Sequence, residues 1–213
     1  MDQPGRFGSG FRAALLAVVL LAVALSAVRP FDRLTWLLEV APVLIGIPLL
    51  LASARRFRLT DLICLLLAVH AVILIVGGIY TYARVPLGFW LQDWLHLARN
   101  PYDRIGHFAQ GFVPAMFARE ILLRRSPLRP GKWLAFLVVC VCLAISACYE
   151  LIEWIAALML GQGADEFLGT QGDPFDTQAD MAMALIGSCS ALATLTRVHD
   201  RQLTALTDYP SVK

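Results

Sequence analysis

An all-α bundle of about six transmembrane helices is the fold this sequence predicts. The 213 residues are 58% hydrophobic, with a mean hydropathy of +0.66 and only 16% charged side chains. Ordinary soluble domains carry about 25% charge. Several apolar runs approach the roughly 20 residues that cross a bilayer as a helix. None shows the alternation over about ten residues that marks a membrane β-strand. The chain, 1–213, reads as a single transmembrane domain with no space for a sizeable soluble one. Its net charge of +2 is too small to imply a nucleic-acid partner.

Six spans are expected, near Phe11–Val28, Leu34–Ser53, Leu59–Tyr80, Pro101–Leu123, Trp133–Leu160 and Gln178–Thr196. The first resembles a signal peptide, with Arg6 and Arg12 ahead of its apolar run and small residues at Ser26 and Ala27. That run is long for a signal core and five more spans follow, so a retained anchor is expected. Between the third and fourth spans, Thr81–Asn100 sets Phe89, Trp90, Trp94, Leu95 and Leu97 among Gln92, Asp93 and His96. This pattern predicts a short amphipathic helix at the outer interface, with its aromatics at headgroup depth.

The basic residues predict the orientation. With the N-terminus inside, the inner segments hold Arg6, Arg12, Arg55, Arg56, Arg58, Arg119, Arg124, Arg125, Arg129, Lys132, Arg197, Arg201 and Lys213. The outer segments hold Arg29, Arg33, Arg84, Arg99 and Arg104, and the last outer loop, Gly161–Thr177, has none. Both termini are therefore expected in the cytoplasm. Cys64, Cys140, Cys142, Cys148 and Cys189 all fall in apolar spans, which predicts small apolar filler and no disulfide or zinc framework.

Acids inside these spans carry the functional signal, because a carboxylate at a helix centre costs about 2.5–3.5 kcal/mol. Asp103 and His107 share a helix face at the outer end of span four. Glu150 and Glu153 share one on span five, Asp173, Asp176 and Asp180 lead into span six, and Glu39 lies in the outer half of span two. All collect at one depth. Structural readings compete at several positions. Asn100-Pro101-Tyr102-Asp103 and Asp173-Pro174-Phe175-Asp176 both read as helix caps, and Thr177-Gln178-Ala179-Asp180 as a capping box. Glu150 lies about 26 Å from Trp133 along a helix, so it is either within the core or snorkelling from a tilted span. His70, alone on an apolar helix, reads as a hydrogen-bonded core histidine. Arg104 is placed to hold an anionic headgroup or to pair with an acid.

The segments EVAPVLIGIPLLLASARRFRLT, YTYARVPLGFWLQDWLHLARNPYDRIGHFAQGFVPA, ARE, YELIEW and FLGTQGDPFDTQADM closely resemble the YjdF-type inner-membrane proteins of bacteria. The likeness runs from about Val28 to Ala193. It implies a multi-pass protein of the bacterial inner membrane and carries no established activity. A more distant resemblance is to VanZ-like membrane proteins, through Asp103, Arg104 and His107, then Tyr149 and Glu150, then Asp176 or Asp180 with Gly187. Glu153 and the Asp-rich segment before span six depart from that pattern.

Three functions are compatible with these residues. The first is an enzyme acting on a lipid or lipid-linked headgroup at the outer leaflet. There His107, Glu150 and Asp176 would do the chemistry and Arg104 and Trp94 would hold the substrate. A divalent metal ion could sit among Asp103, Glu150, Glu153, Asp176 and Asp180. No nucleophilic serine motif, Gly-rich phosphate loop or HExxH sequence narrows the reaction. The second is a small proton-coupled transporter, against which the polar residues gather on one side. The third is a non-catalytic assembly or sensor protein whose acids are ion-paired with Arg99 and Arg104. Beyond the lipid bilayer and such a lipid ligand, no partner or oligomeric state is implied.

Overall fold

The computed structural model describes residues 9–160 and 171–206. Among these the chain is helical, with no strand: α1 (Ser9–Ser26), α2 (Arg33–Ser53), α3 (Asp61–Tyr80), α4 (Pro86–Leu95), α5 (Tyr102–Arg125), α6 (Lys132–Leu160) and α7 (Asp176–Thr204). A helix occupies each expected span, and α4 occupies the expected interfacial segment. Most of the expected outer loop Gly161–Thr177, together with Arg6 and Lys213, lies outside the described residues.

Four helices, α2, α3, α6 and α7, are long and apolar enough to cross a membrane, and α1 is a shorter apolar helix. Their outer faces carry large exposed apolar side chains such as Leu21, Leu49, Phe136 and Ile152, which water would not tolerate in such number. The exception is α5. It spans 24 residues but carries Asp103, Arg104, Arg119, Glu120, Arg124 and Arg125. Its position explains this composition. α5 packs on α3, α6 and α7, and fourteen of its residues are buried. A central helix meets protein on most sides and needs little lipid-facing surface.

The contact between α5 and α7 is the most extensive in the bundle. Ala184, Gly187, Ser188 and Ala191 form a buried small-residue face on α7, which lets the two backbones approach closely. Around this seam the core gathers Ile63, Met116, Val138, Cys142 and Leu203. Arg12 joins α1 to α3 through a 2.7 Å bond to Asp61. The five cysteines are unbonded.

Side-chain caps begin α2 and α3, and two other helix starts differ from expectation. Asp32 accepts from the Thr35 N–H at 2.7 Å to begin α2, and the Thr60 hydroxyl caps α3. α5 begins at Tyr102 rather than Pro101, yet Asn100 Oδ1 still accepts from the Tyr102 N–H at 3.0 Å. α7 begins at Asp176, two residues earlier than expected, so Thr177–Asp180 lies inside the helix and is not a capping box.

Candidate functional site

The acids meet where α5 and α7 begin and α6 approaches its end. Along α6 the buried residues are Leu134, Val138, Cys142, Ser146, Glu150, Glu153 and Ala157, about one per turn. Glu150 and Glu153 thus continue the inward stripe, each 8% exposed. That geometry overturns the snorkelling reading of Glu150. On α7, Asp176 and Asp180 precede Ala184, Gly187 and Ser188 on the buried face. The close α5–α7 seam therefore delivers Asp180 to Asp103 and His107.

One ligand-capable atom from each of Asp103, His107 and Asp180 lies within 4.8 Å of the others. His107 Nε2 stands 3.6 Å from Asp103 Oδ1 and 3.7 Å from Glu150 Oε1. Its Nδ1 lies 3.1 Å from Gln110 Oε1. An amide oxygen only accepts, so Nδ1–H donates to it, and Nε2 can take up a proton or a metal ion. Among the described residues, Asp180 Oδ1, Glu150 Oε1 and Ser146 Oγ are buried without a hydrogen-bond partner. Asp180 is only 2% exposed. Such groups are uncommon in folded proteins, and each calls for a physical account.

The cations at this end are partly committed. Arg99 bonds Asp176 and lies 3.6 Å from Asp173. Burial works against its charge, but the bond to Asp176 and the nearby acids outweigh it and raise its pKa. Arg104 bonds Asp173 at 2.8 Å, so pairing with an acid is the arrangement it adopts. Asp173 also accepts from the Phe175 N–H at 3.0 Å. Of the expected metal ligands, the structure brings Asp103 and Asp180 together and adds His107. Glu150 adjoins them through His107, and Asp176 is taken by Arg99. Glu153 is buried on the same face of α6, about one turn beyond Glu150. Trp94 is 67% exposed on α4, stacked on Trp90 with ring centroids 6.0 Å apart, and is not part of the buried cluster.

The sequence assigns no site role to Gln110 or Tyr82, and Tyr149 enters it only through the VanZ-like resemblance. Tyr149 donates to Glu39 Oε2 at 3.0 Å and meets the His107 ring edge-on at 6.4 Å. Tyr82 is held between Gly77 and Gly106 on α3 and α5, where an added Cβ would meet its ring at 2.3 and 2.8 Å. The signals were present: Gln110 is one turn after His107, and Tyr149 precedes Glu150.

A second buried polar network, at the far end of the bundle, was also not foreseen. Glu120 accepts from the Thr60 hydroxyl at 2.7 Å, His199 Nε2 at 3.0 Å and Arg124 at 2.7 Å. Arg119 lies 2.8 Å from His199 Nδ1 and 2.7 Å from Asp200. Arginine can only donate, so His199 accepts at Nδ1 and donates from Nε2–H to Glu120. The expectation that polar residues gather on one side is therefore incorrect. The satisfied reading of His70 also fails, since its buried Nε2 has no partner among the described residues.

Residues 11–201 match the family described as "Predicted membrane protein (DUF2238)". The chain belongs to this family. It is 59% identical over 191 residues to "Inner membrane protein YjdF" of Escherichia coli (strain K12), covering 90% of each chain. No solved structure matches. Membership in DUF2238, the likeness to an inner-membrane protein over 90% of the chain and the apolar helices together support a multi-pass protein of the inner membrane.

Proposed function

We propose that this DUF2238 protein acts on a lipid or lipid-linked headgroup at the outer face of the membrane, through a divalent cation held by Asp103, His107 and Asp180. The observation that carries this reading is the buried, unpartnered Oδ1 of Asp180 beside two further donor groups. Ligands about 2.1 Å from a tetrahedral ion stand about 3.4 Å apart, so a small contraction of this set would close it on an ion. Two carboxylates and one imidazole suit zinc, manganese or iron, and Gln110 would orient the imidazole as an outer partner. Glu150 Oε1, 3.7 Å from His107 Nε2, would take a proton from a molecule bound beside the ion. The excess of Lys and Arg at the opposite end supports an outward-facing site and cytoplasmic termini. The exposed Trp90 and Trp94 on α4 support contact with headgroups.

The experiment compares the lipids and lipid-linked species of inner membranes from cells making the parent, Asp180→Asn or no copy. A species whose headgroup changes only with the parent supports the reading; identical profiles contradict it.

A proton-coupled transporter is favoured by one observation, the second network around Glu120 and His199. It gives α5 buried titratable groups at both ends. Met116, Val138, Cys142 and Ala191 form an apolar seal between them. Proton uptake by sealed vesicles that is lost in both Glu150→Gln and Glu120→Gln would favour transport over headgroup chemistry.

A further inference from the structure

Far from the acids, a cavity of about 240 Å³ opens between the last turns of α2 and α5. Both helices pack on α3, and the space between them is lined by Leu50, Ser53, Phe57, Leu59, Phe117 and Ile121, with Arg125 at the edge. An apolar groove on the lipid-facing surface of a membrane protein is filled by whatever the bilayer supplies. The charge around it is one-sided. Arg55, Arg56, Arg58, Arg124, Arg125, Arg129 and Lys132 occupy the two adjoining connections and helix ends. The acids nearby are already engaged: Asp61 by Arg12, and Glu120 by Arg124 and His199. Arg55, Arg56 and Arg125 are exposed and have no carboxylate partner among the described residues.

The rim is ordered by aromatic and backbone contacts. The guanidinium groups of Arg124 and Arg125 sit 3.9 and 5.0 Å from the centroid of the Phe57 ring. Arg125 also donates to the Arg56 carbonyl at 3.3 Å, and Arg124 to the Arg58 carbonyl at 2.7 Å. These contacts hold Arg125 at the edge of the apolar lining, against the connection that carries Arg56.

We infer that this groove binds an anionic phospholipid, with an acyl chain along Leu50, Phe117 and Ile121 and the phosphate against Arg125 and Arg56. Basic pockets between membrane helices select anionic headgroups in this way. The site is independent of the acid cluster and of any reaction there.

The test is native mass spectrometry of the purified full-length protein offered equal amounts of phosphatidylglycerol and phosphatidylcholine with identical acyl chains. The parent should retain phosphatidylglycerol at least about fivefold over phosphatidylcholine, the effect of one arginine near a headgroup. The Arg56→Gln/Arg125→Gln variant should lose that preference, and Ile121→Trp, which fills the groove, should retain less of both lipids. Equal retention by the parent would overturn the inference. So would parent-like preference in the double arginine variant, or parent-like retention in Ile121→Trp.

Discussion

Gly187 on α7 faces the backbone of Phe108 on α5 so closely that a Cβ at position 187 would stand 2.1 Å from the Phe108 carbonyl oxygen. Gly111 completes the contact from the other side, where a Cβ would lie 1.9 Å from the Ala184 carbonyl oxygen. Neither obstacle is a flexible side chain, so a larger residue must push the helices apart. That seam holds Asp180 against Asp103 and His107, seven residues from Gly187 along α7.

Gly187→Val should therefore destabilise the protein by about 1–3 kcal/mol, the usual cost of overpacking. It should also weaken any cation binding at Asp103, His107 and Asp180. Thermal unfolding in detergent, with metal content measured on the fraction that stays folded, checks both effects.

The far network gives a larger effect. Glu120 is fully buried and accepts from Thr60, Arg124 and His199 together. Glu120→Ala strands those donors and leaves buried charge uncompensated, a loss of about 3–5 kcal/mol. Glu120→Gln keeps an acceptor and should lose less. The two variants are ranked by their midpoints in the same unfolding assay.

At the start of α2, pH provides a local check. The Thr35 N–H bond lowers the pKa of Asp32 below its ordinary 3.8. The folded form thus prefers the carboxylate. Its stabilisation is complete well above pH 3.8 and fades as pH falls through the lowered folded value. Asp32→Ala should lose about 1 kcal/mol at neutral pH. Unfolding midpoints of parent and variant, followed downward in pH, should converge once the acid is protonated.

Much of this organisation is legible in the sequence. Apolar length gives the lipid-facing helices, and the aromatic and polar mixture at residues 86–95 gives α4. The inward position of Glu150 is not legible there, because α6 is apolar on every side and only packing marks the stripe from Leu134 as the inward one. What could not be read is which acids meet. Asp176 and Asp180 are the same residue type one turn apart, yet Asp176 bonds Arg99 while Asp180 is left without a partner at Oδ1. That division depends on the α5–α7 seam and on the path of the segment carrying Arg99, both tertiary facts. The Glu120 network escaped for a similar reason. Arg119 and Arg124 read as topology-setting surface charges; only the packing of α7 against α5 brings Arg119 to the buried His199, while Arg124 bonds Glu120 one turn back on its own helix.

The most direct test of the central claim is elemental analysis of the purified protein beside Asp103→Asn/Asp180→Asn, with helix content confirmed for both. Metal at about one ion per chain in the parent, lost from the folded variant, is the predicted result. Parent protein that stays metal-free after incubation with zinc, manganese or iron and removal of unbound ion would contradict the cation site and leave the acids to proton transfer or ion pairing.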